Sequence, residues 1–294
     1  MRGADSFTIG FVGLGIMGAP MAQNMARKFP VIGFDVQASR MAAVTGITRA
    51  ASAAEVARTC DVVCLSLPSA AVVEQVVLAD GGLASELREG SLLIDLSTSL
   101  PSVSRRIAAR LAERGVQFAD APVSGGEKGA KDGTLAIMAG ASAPVFERCR
   151  PILEAIGKTA VRVGDVGAGN IAKLVNNMIV AAEFAVIAEG FALAAREGVD
   201  ARLLYDAMRE GWAGSRVLDV SAEAISERRY VPGGTIDMLV KDISYAQALA
   251  AESHASIPMT AAAHEILVAG QAAGYGKSSQ PAIYELWNRT EAKG

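Results

Sequence analysis

Two groups of residues in this 294-residue chain have types and spacing that could do chemistry. The first is Gly13-Leu14-Gly15-Ile16-Met17-Gly18, a G-x-G-x-x-G run that follows the strand-like FTIGFV and opens a helix-like stretch. In that context the pattern predicts a dinucleotide site. Gly13 permits a tight turn, Gly15 lets backbone approach a pyrophosphate, Gly18 lets helix and strand pack closely, and the amides at the helix start face the phosphates. Asp35 lies 20 residues past Gly15, the offset at which an acidic side chain accepts hydrogen bonds from the adenosine ribose. Its charge repels a 2′-phosphate, so NAD is expected in preference to NADP, with Arg40 five residues on tempering that preference.

The second group is Gly167, Gly169, Lys173 and Asn177. Positions 169, 173 and 177 recur every four residues, so on a helix they share one face. The two glycines let another surface come close. Lys173 sits among Ile171, Leu174, Val175 and Met178, where desolvation would draw an ammonium toward the range useful for proton transfer. An exposed lysine on an amphipathic helix is the ordinary alternative.

The elements that must carry these residues are legible as an alternation. Strand candidates at 7–12, 31–35, 61–65, 91–95, 116–120, 135–139 and 159–163 are separated by Ala-rich periodic stretches at 17–28, 70–78, 101–114 and 143–156. Such alternation indicates βαβ units and a doubly wound, mostly parallel sheet. After a glycine-rich joint at 164–169 the pattern changes. Residues 170–197 predict one helix of roughly 40 Å, and helical patterns follow at 201–210, 215–226, 235–252, 258–273 and 281–290. The expected architecture is α/β: a Rossmann-type dinucleotide-binding domain over 1–163, and an all-α domain over 164–294, joined by the long helix. Burial of so long an apolar element helix on helix suggests a homodimer or homotetramer.

Composition narrows the function classes. Hydrophobic residues make up 51% and charged residues 20%, enough for a sizeable core. The net charge is −3 with no basic run, so neither nucleic acid nor an anionic membrane surface is an expected partner. Cys60, Cys64 and Cys149 form no CxxC, and His254 and His264 are the only histidines, so neither a disulfide framework nor a metal site is expected. MRGADS runs directly into the first strand without a signal-like apolar region. The most apolar stretch, near 178–195, is interrupted by Glu183 and Glu189. A cytoplasmic protein without a membrane span is expected.

Taken together, the motifs resemble the β-hydroxyacid dehydrogenase family, which includes 3-hydroxyisobutyrate dehydrogenase and tartronate semialdehyde reductase. The run from Gly13 to Asn24 is similar to its cofactor signature, and Asp120-Ala121-Pro122-Val123-Ser124-Gly125-Gly126 to its substrate loop. Gly167-x-Gly169-x-x-x-Lys173-x-x-x-Asn177 is similar to its catalytic motif, and Lys241-Asp242 to its cofactor-side lysine motif. The resemblance implies an NAD-dependent oxidoreductase that interconverts a short β-hydroxyacid and its semialdehyde or keto form, with Lys173 exchanging the hydroxyl proton. It implies that Asn177 contacts the substrate and that Ser124, Gly125 and Gly126 hold its carboxylate. Leu67, Pro68 and Thr98 would lie along the cofactor, and Lys241 would close over it. Tartronate semialdehyde and threonate-type acids are alternative substrates. An imine reductase and a non-catalytic NAD(P)-binding relative are rivals that Lys173 argues against. Two positions depart from the family pattern: Gly234 where many members carry phenylalanine, and Ser279 where many carry aspartate. Trp212 is either a pocket wall or, as is commoner for an indole on a helix, core.

Overall fold

The computed structural model describes residues 7–231 and 233–288. The chain forms two compact units, Met1–Lys173 and Leu174–Gly294. The opening MRGADS, and residues 289–290 of the last expected helix, lie outside the described residues.

The first unit is built on a nine-stranded sheet: β1 (Ile9–Val12), β2 (Val31–Phe34), β3 (Thr48–Arg49), β4 (Val62–Leu65), β5 (Leu92–Asp95), β6 (Gln117–Asp120), β7 (Val123–Ser124), β8 (Leu135–Gly140) and β9 (Gly157–Gly164). The order β3-β2-β1-β4-β5-β6 is parallel throughout. This is the doubly wound arrangement, whose order reverses between β1 and β4. β8 then runs antiparallel to β6 and β7 and parallel to β9. The central strands β1, β4 and β5 are buried at every residue, which is why they read as continuous apolar runs rather than as alternation. The parallel strands all end at one rim, so the loop after β1, the end of β2 and the loops after β4, β5 and β6 open side by side.

The expected strands and long helices are present with ends shifted by a few residues. The short elements were not foreseen: β3, β7 and the helices Ala38–Ala43, Ala53–Thr59, Leu83–Glu86 and Gly126–Asp132. At two turns or fewer, a helix shows no usable period. Ala38–Ala43 also buries none of its residues.

The helical unit takes most of the 29-residue helix Ala168–Arg196, about 44 Å long at 1.5 Å per residue. The helices Ala201–Met208, Arg216–Glu227, Ile236–Glu252 and Pro258–Gly270 follow. Asp200, Ser215 and Thr235 cap three of them by accepting first-turn N–H groups, as N-cap side chains do. The pattern over 258–273 stops being α-helical at Gly270. A π turn follows over Gln271–Tyr275, and Gly274 within it has φ 93°. The last element is a 3-10 helix, Gln280–Leu286.

By length and composition the long helix would pass as a membrane span, a test that a core helix passes equally. Phe184, Ala188 and Phe191 on one face belong to the core of the helical unit. Val175, Ile179, Val186 and Leu193 are exposed. At about 100° per residue those four fall within roughly 40° of arc on the opposite face. Trp212 is neither core nor helical: it lies in a turn and is fully exposed. A turn flanked by Gly211 and Gly214 gives the ring nothing to pack against.

The glycines of the joint have a steric origin. A Cβ on Gly169 would stand 2.6 Å from the Asp120 carbonyl oxygen and would overlap that of Met138, and one on Gly140 would stand 2.6 Å from Gly169 N. The helix start therefore lies directly on β6 and β8. Gly169→Ala is expected to cost about 2 kcal/mol or more, as overpacking against backbone that cannot yield does, measured as a lowered midpoint in urea unfolding. An unchanged midpoint would show that the contact relaxes.

Candidate active site

The glycine loop sits at the β1/β4 switch point, where open α/β sheets bind ligands. Its three glycines are not equivalent. Gly13 has φ 96°, and a Cβ there would run into Ser66 O and stand 3.1 Å from Leu67 Cδ2; a Cβ on Gly18 would run into Gly13 O. The chain's own packing demands both. At Gly15 a Cβ would meet only the Arg40 guanidinium, at 3.7 Å. Protein packing leaves that position free, and the open space above it fits a phosphate approaching the backbone. The loop thus fits a dinucleotide. Leu14 is buried, Ile16 is exposed, and Met17 packs against the core.

Asp35 follows β2 and is 7% exposed. Its Oδ2 accepts the Leu14 N–H (2.8 Å) and its Oδ1 accepts the Gln37 N–H (2.8 Å). Arg40 Nη1 stands 3.5 Å from Oδ2. The carboxylate thus ties the glycine loop to β2 and sets its charge beside it. Leu67, after β4, donates its N–H to Ser97 Oγ (2.8 Å), so the loop bearing Leu67 and Pro68 is joined to the one bearing Thr98.

Behind these loops stand two buried carboxylates that sequence reasoning left without a role. Asp95 and Asp120 end β5 and β6 and are paired in register, and neither is exposed. Asp95 Oδ1 accepts the Ser97 N–H (3.0 Å). Burial pushes the Asp95 carboxyl up to about 7, against hydrogen bonds from Ser97 that pull it down, while Asp120 adds a further upward push. Asp120 accepts the N–H groups of Gly167 (2.7 Å) and Asn170 (2.8 Å) on its two oxygens. Burial raises its pKa too, although these bonds oppose the shift. Asn170, also unforeseen, accepts the Ser99 N–H on Oδ1 (2.8 Å) and donates from Nδ2 to Ser104 Oγ (3.1 Å). A signal was available for the aspartates, since both close apolar strand patterns at the rim where ligands bind. Asn170 carried none.

Lys173 lies one turn into the anchored helix and is 8% exposed. Ser124 belongs to β7. Gly125 and Gly126 both have positive φ, 138° and 62°, and are exposed at the start of the helix Gly126–Asp132. In the helical unit, Asn177 and Lys241 are brought together through Asp242. Asn177 Nδ2 donates to Asp242 Oδ2 (2.7 Å), and Lys241 Nζ lies 2.8 Å from Asp242 Oδ1 and 5.1 Å from the centre of the Tyr245 ring.

Residues 8–164 match the family model for the NAD binding domain of 6-phosphogluconate dehydrogenase. Residues 167–287 match that for the NAD-binding part of NADP-dependent 3-hydroxyisobutyrate dehydrogenase. The chain is 37% identical to a 2-(hydroxymethyl)glutarate dehydrogenase of Eubacterium barkeri, covering 97% of this chain and 96% of that protein. It is 34% identical to an NAD-dependent L-serine dehydrogenase of Pseudomonas aeruginosa, covering 97% and 99%. Among solved structures, a Mycobacterium tuberculosis 3-hydroxyisobutyrate dehydrogenase with L-serine superposes with a TM-score of 0.87 at 30% identity, covering 97% of this chain and 100% of that one.

The inequality of the glycines can be measured. Gly15→Val should weaken NADH binding by about tenfold or more, a loss of about 1.4 kcal/mol, while leaving the thermal midpoint within about 1 °C, under the roughly 2–4 °C that 1 kcal/mol produces in a domain of this size. Gly18→Ala should instead lower the midpoint by several degrees. Equal destabilisation by both, read by calorimetry, would remove the case for Gly15 as the ligand-facing position.

Proposed function

The chain belongs to the β-hydroxyacid dehydrogenase family, and from that premise we propose that it oxidises a short β-hydroxyacid with NAD, using Lys173 to exchange the hydroxyl proton. The observation that carries the reading is a buried lysine one turn inside a helix whose first turn is fixed by Asp120 to the rim of the nucleotide-type sheet. The relatives' names narrow the substrate class. L-serine, 3-hydroxyisobutyrate and 2-(hydroxymethyl)glutarate share one unit, a primary alcohol on the carbon β to a carboxylate. Tartronate semialdehyde and threonate-type acids stay within the proposed range.

In this reading Ser124, Gly125 and Gly126 hold the substrate carboxylate, since consecutive backbone amides can cradle an anion without an arginine. Asn177 orients the substrate, and Lys173 takes the hydroxyl proton in oxidation and returns it in reduction. NAD, when bound, accepts hydride from the β-carbon. Gly13, Leu14, Gly15, Ile16, Met17, Gly18, Asp35, Leu67, Pro68, Thr98 and Lys241 make up the cofactor side. The charge of Asp35 favours NAD over NADP. Residues 1–163 serve as the dinucleotide-binding domain and 164–294 as the substrate and dimerisation domain of a soluble, cytoplasmic enzyme.

The exposed stripe of Val175, Ile179, Val186 and Leu193 supports a homo-oligomer, a dimer or tetramer, in which a second copy covers that face. Val186→Asp with Leu193→Asp should then convert the assembly to monomers in sedimentation. A double variant with unchanged mass, or a wild-type monomer, would exclude this face.

Lys173→Ala should lower kcat by about 10²–10⁴, the size of a general acid–base contribution, with NAD affinity nearly unchanged. Lys173→Arg should not rescue it, because a guanidinium holds its proton and has a different shape. In oxidation the pH–kcat profile should rise along a limb that requires the neutral amine, and that limb should vanish in the alanine variant. Near-normal kcat in Lys173→Ala would sink the mechanism and make Lys241 the next residue to test.

A further inference from the structure

We propose that Asn170 is a positioning residue that sets Lys173 in register with the loop carrying Ser97, Thr98 and Ser99. The proposal rests on the reading of Lys173 given above and adds a residue that the motifs do not mark. Asn170 has no solvent exposure. A buried amide side chain is costly unless its polar atoms are paired, and an apolar side chain would fill the same space without that demand. Here the pairing is directional. Oδ1 accepts from the Ser99 N–H (2.8 Å), one residue past Thr98, and Nδ2 donates to Ser104 Oγ (3.1 Å) in the helix Pro101–Ala112.

Asp120 already satisfies the backbone at the helix start, through Gly167 and Asn170. That attachment fixes where the helix begins on the sheet. The Asn170 side chain adds a second point of attachment, to the loop after β5, and two points resist a roll of the first turn about its axis that one would allow. Lys173 lies three residues further on, about 60° around from Asn170 at about 100° per residue. A roll would therefore swing its amine relative to Thr98. Misplacement of a reacting group by about 1 Å can cost about 10²-fold in rate.

The test pairs Asn170→Leu, of similar size without the polar atoms, with Ser104→Ala, which keeps the bond to Ser99. Each is assayed for hydroxyacid oxidation beside Lys173→Ala, with NADH affinity and binding stoichiometry measured by fluorescence titration. Asn170→Leu should lower kcat per NADH site by about 10- to 100-fold. Its NADH dissociation constant should stay within about threefold, about 0.65 kcal/mol, and the pH midpoint of the basic limb should not move. Ser104→Ala should lose less than about threefold in kcat, by the same conversion. If Asn170→Leu does not fold, Asn170→Ser, one bond shorter, is read by the same criteria. The proposal is overturned by a kcat per site within about twofold of wild type, or by kcat, NADH affinity and thermal midpoint falling together as in general damage. Near-normal kcat in Lys173→Ala overturns the reading beneath it. An inactive Lys173→Ala beside a normal Asn170→Leu overturns only the positioning role.

Discussion

A carboxylate sealed from solvent, Asp120, receives the N–H groups of Gly167 and Asn170 where the 29-residue helix begins. A helix start leaves N–H groups without partners and carries partial positive charge. An anion from a neighbouring strand answers both needs at once. The attachment requires a near touch of backbones, which is what Gly140 and Gly169 permit. Without the carboxylate those amides would be buried and unpaired beneath the lysine they locate. The position of Lys173 therefore follows from the end of β6, 53 residues earlier in the chain.

Asp95 does for the loops what Asp120 does for the helix. It holds the Ser97 backbone, while the Ser97 hydroxyl takes the Leu67 N–H, so the turns after β4 and β5 are set from within the sheet. Two carboxylates paired in register between strands cannot both ionise freely in a dry interior. Burial is the main cause of the upward shift of Asp95 to about 7, and the neighbouring Asp120 adds a smaller push; near neutrality the shift trims the negative charge stored under a site proposed to take anionic cofactor and substrate.

Much of this was legible in the chain. The central strands announce themselves because burial on both faces leaves only apolar residues, and the glycine loop is readable because strand and helix flank it. The long helix shows as an interval without breakers. What escaped is contact across distance: Ser99 with Asn170, and Asp120 with Gly167, join residues 71 and 47 positions apart, and no local period records them. The two-residue strands β3 and β7 are too short to repeat anything. Trp212 misled because its size argued for burial, when a glycine-flanked turn can hold an indole in full solvent. Glu183 and Glu189 interrupt the apolar stretch near 178–195 yet leave the helix apolar on two opposite faces, a division that no count of apolar residues shows.

The unequal glycines bear on how relatives of this chain should be read. Gly13 answers to the Ser66 backbone just past β4, and Gly18 to the backbone of Gly13, so selection for folding alone would retain them in a descendant that had abandoned nucleotides. Gly15 answers to nothing inside the protein. A descendant with a branched residue there could keep the sheet intact while its nucleotide chemistry was gone, and a motif search weighting all three glycines alike would still score it highly. The middle glycine is the one whose loss would mark a change of trade.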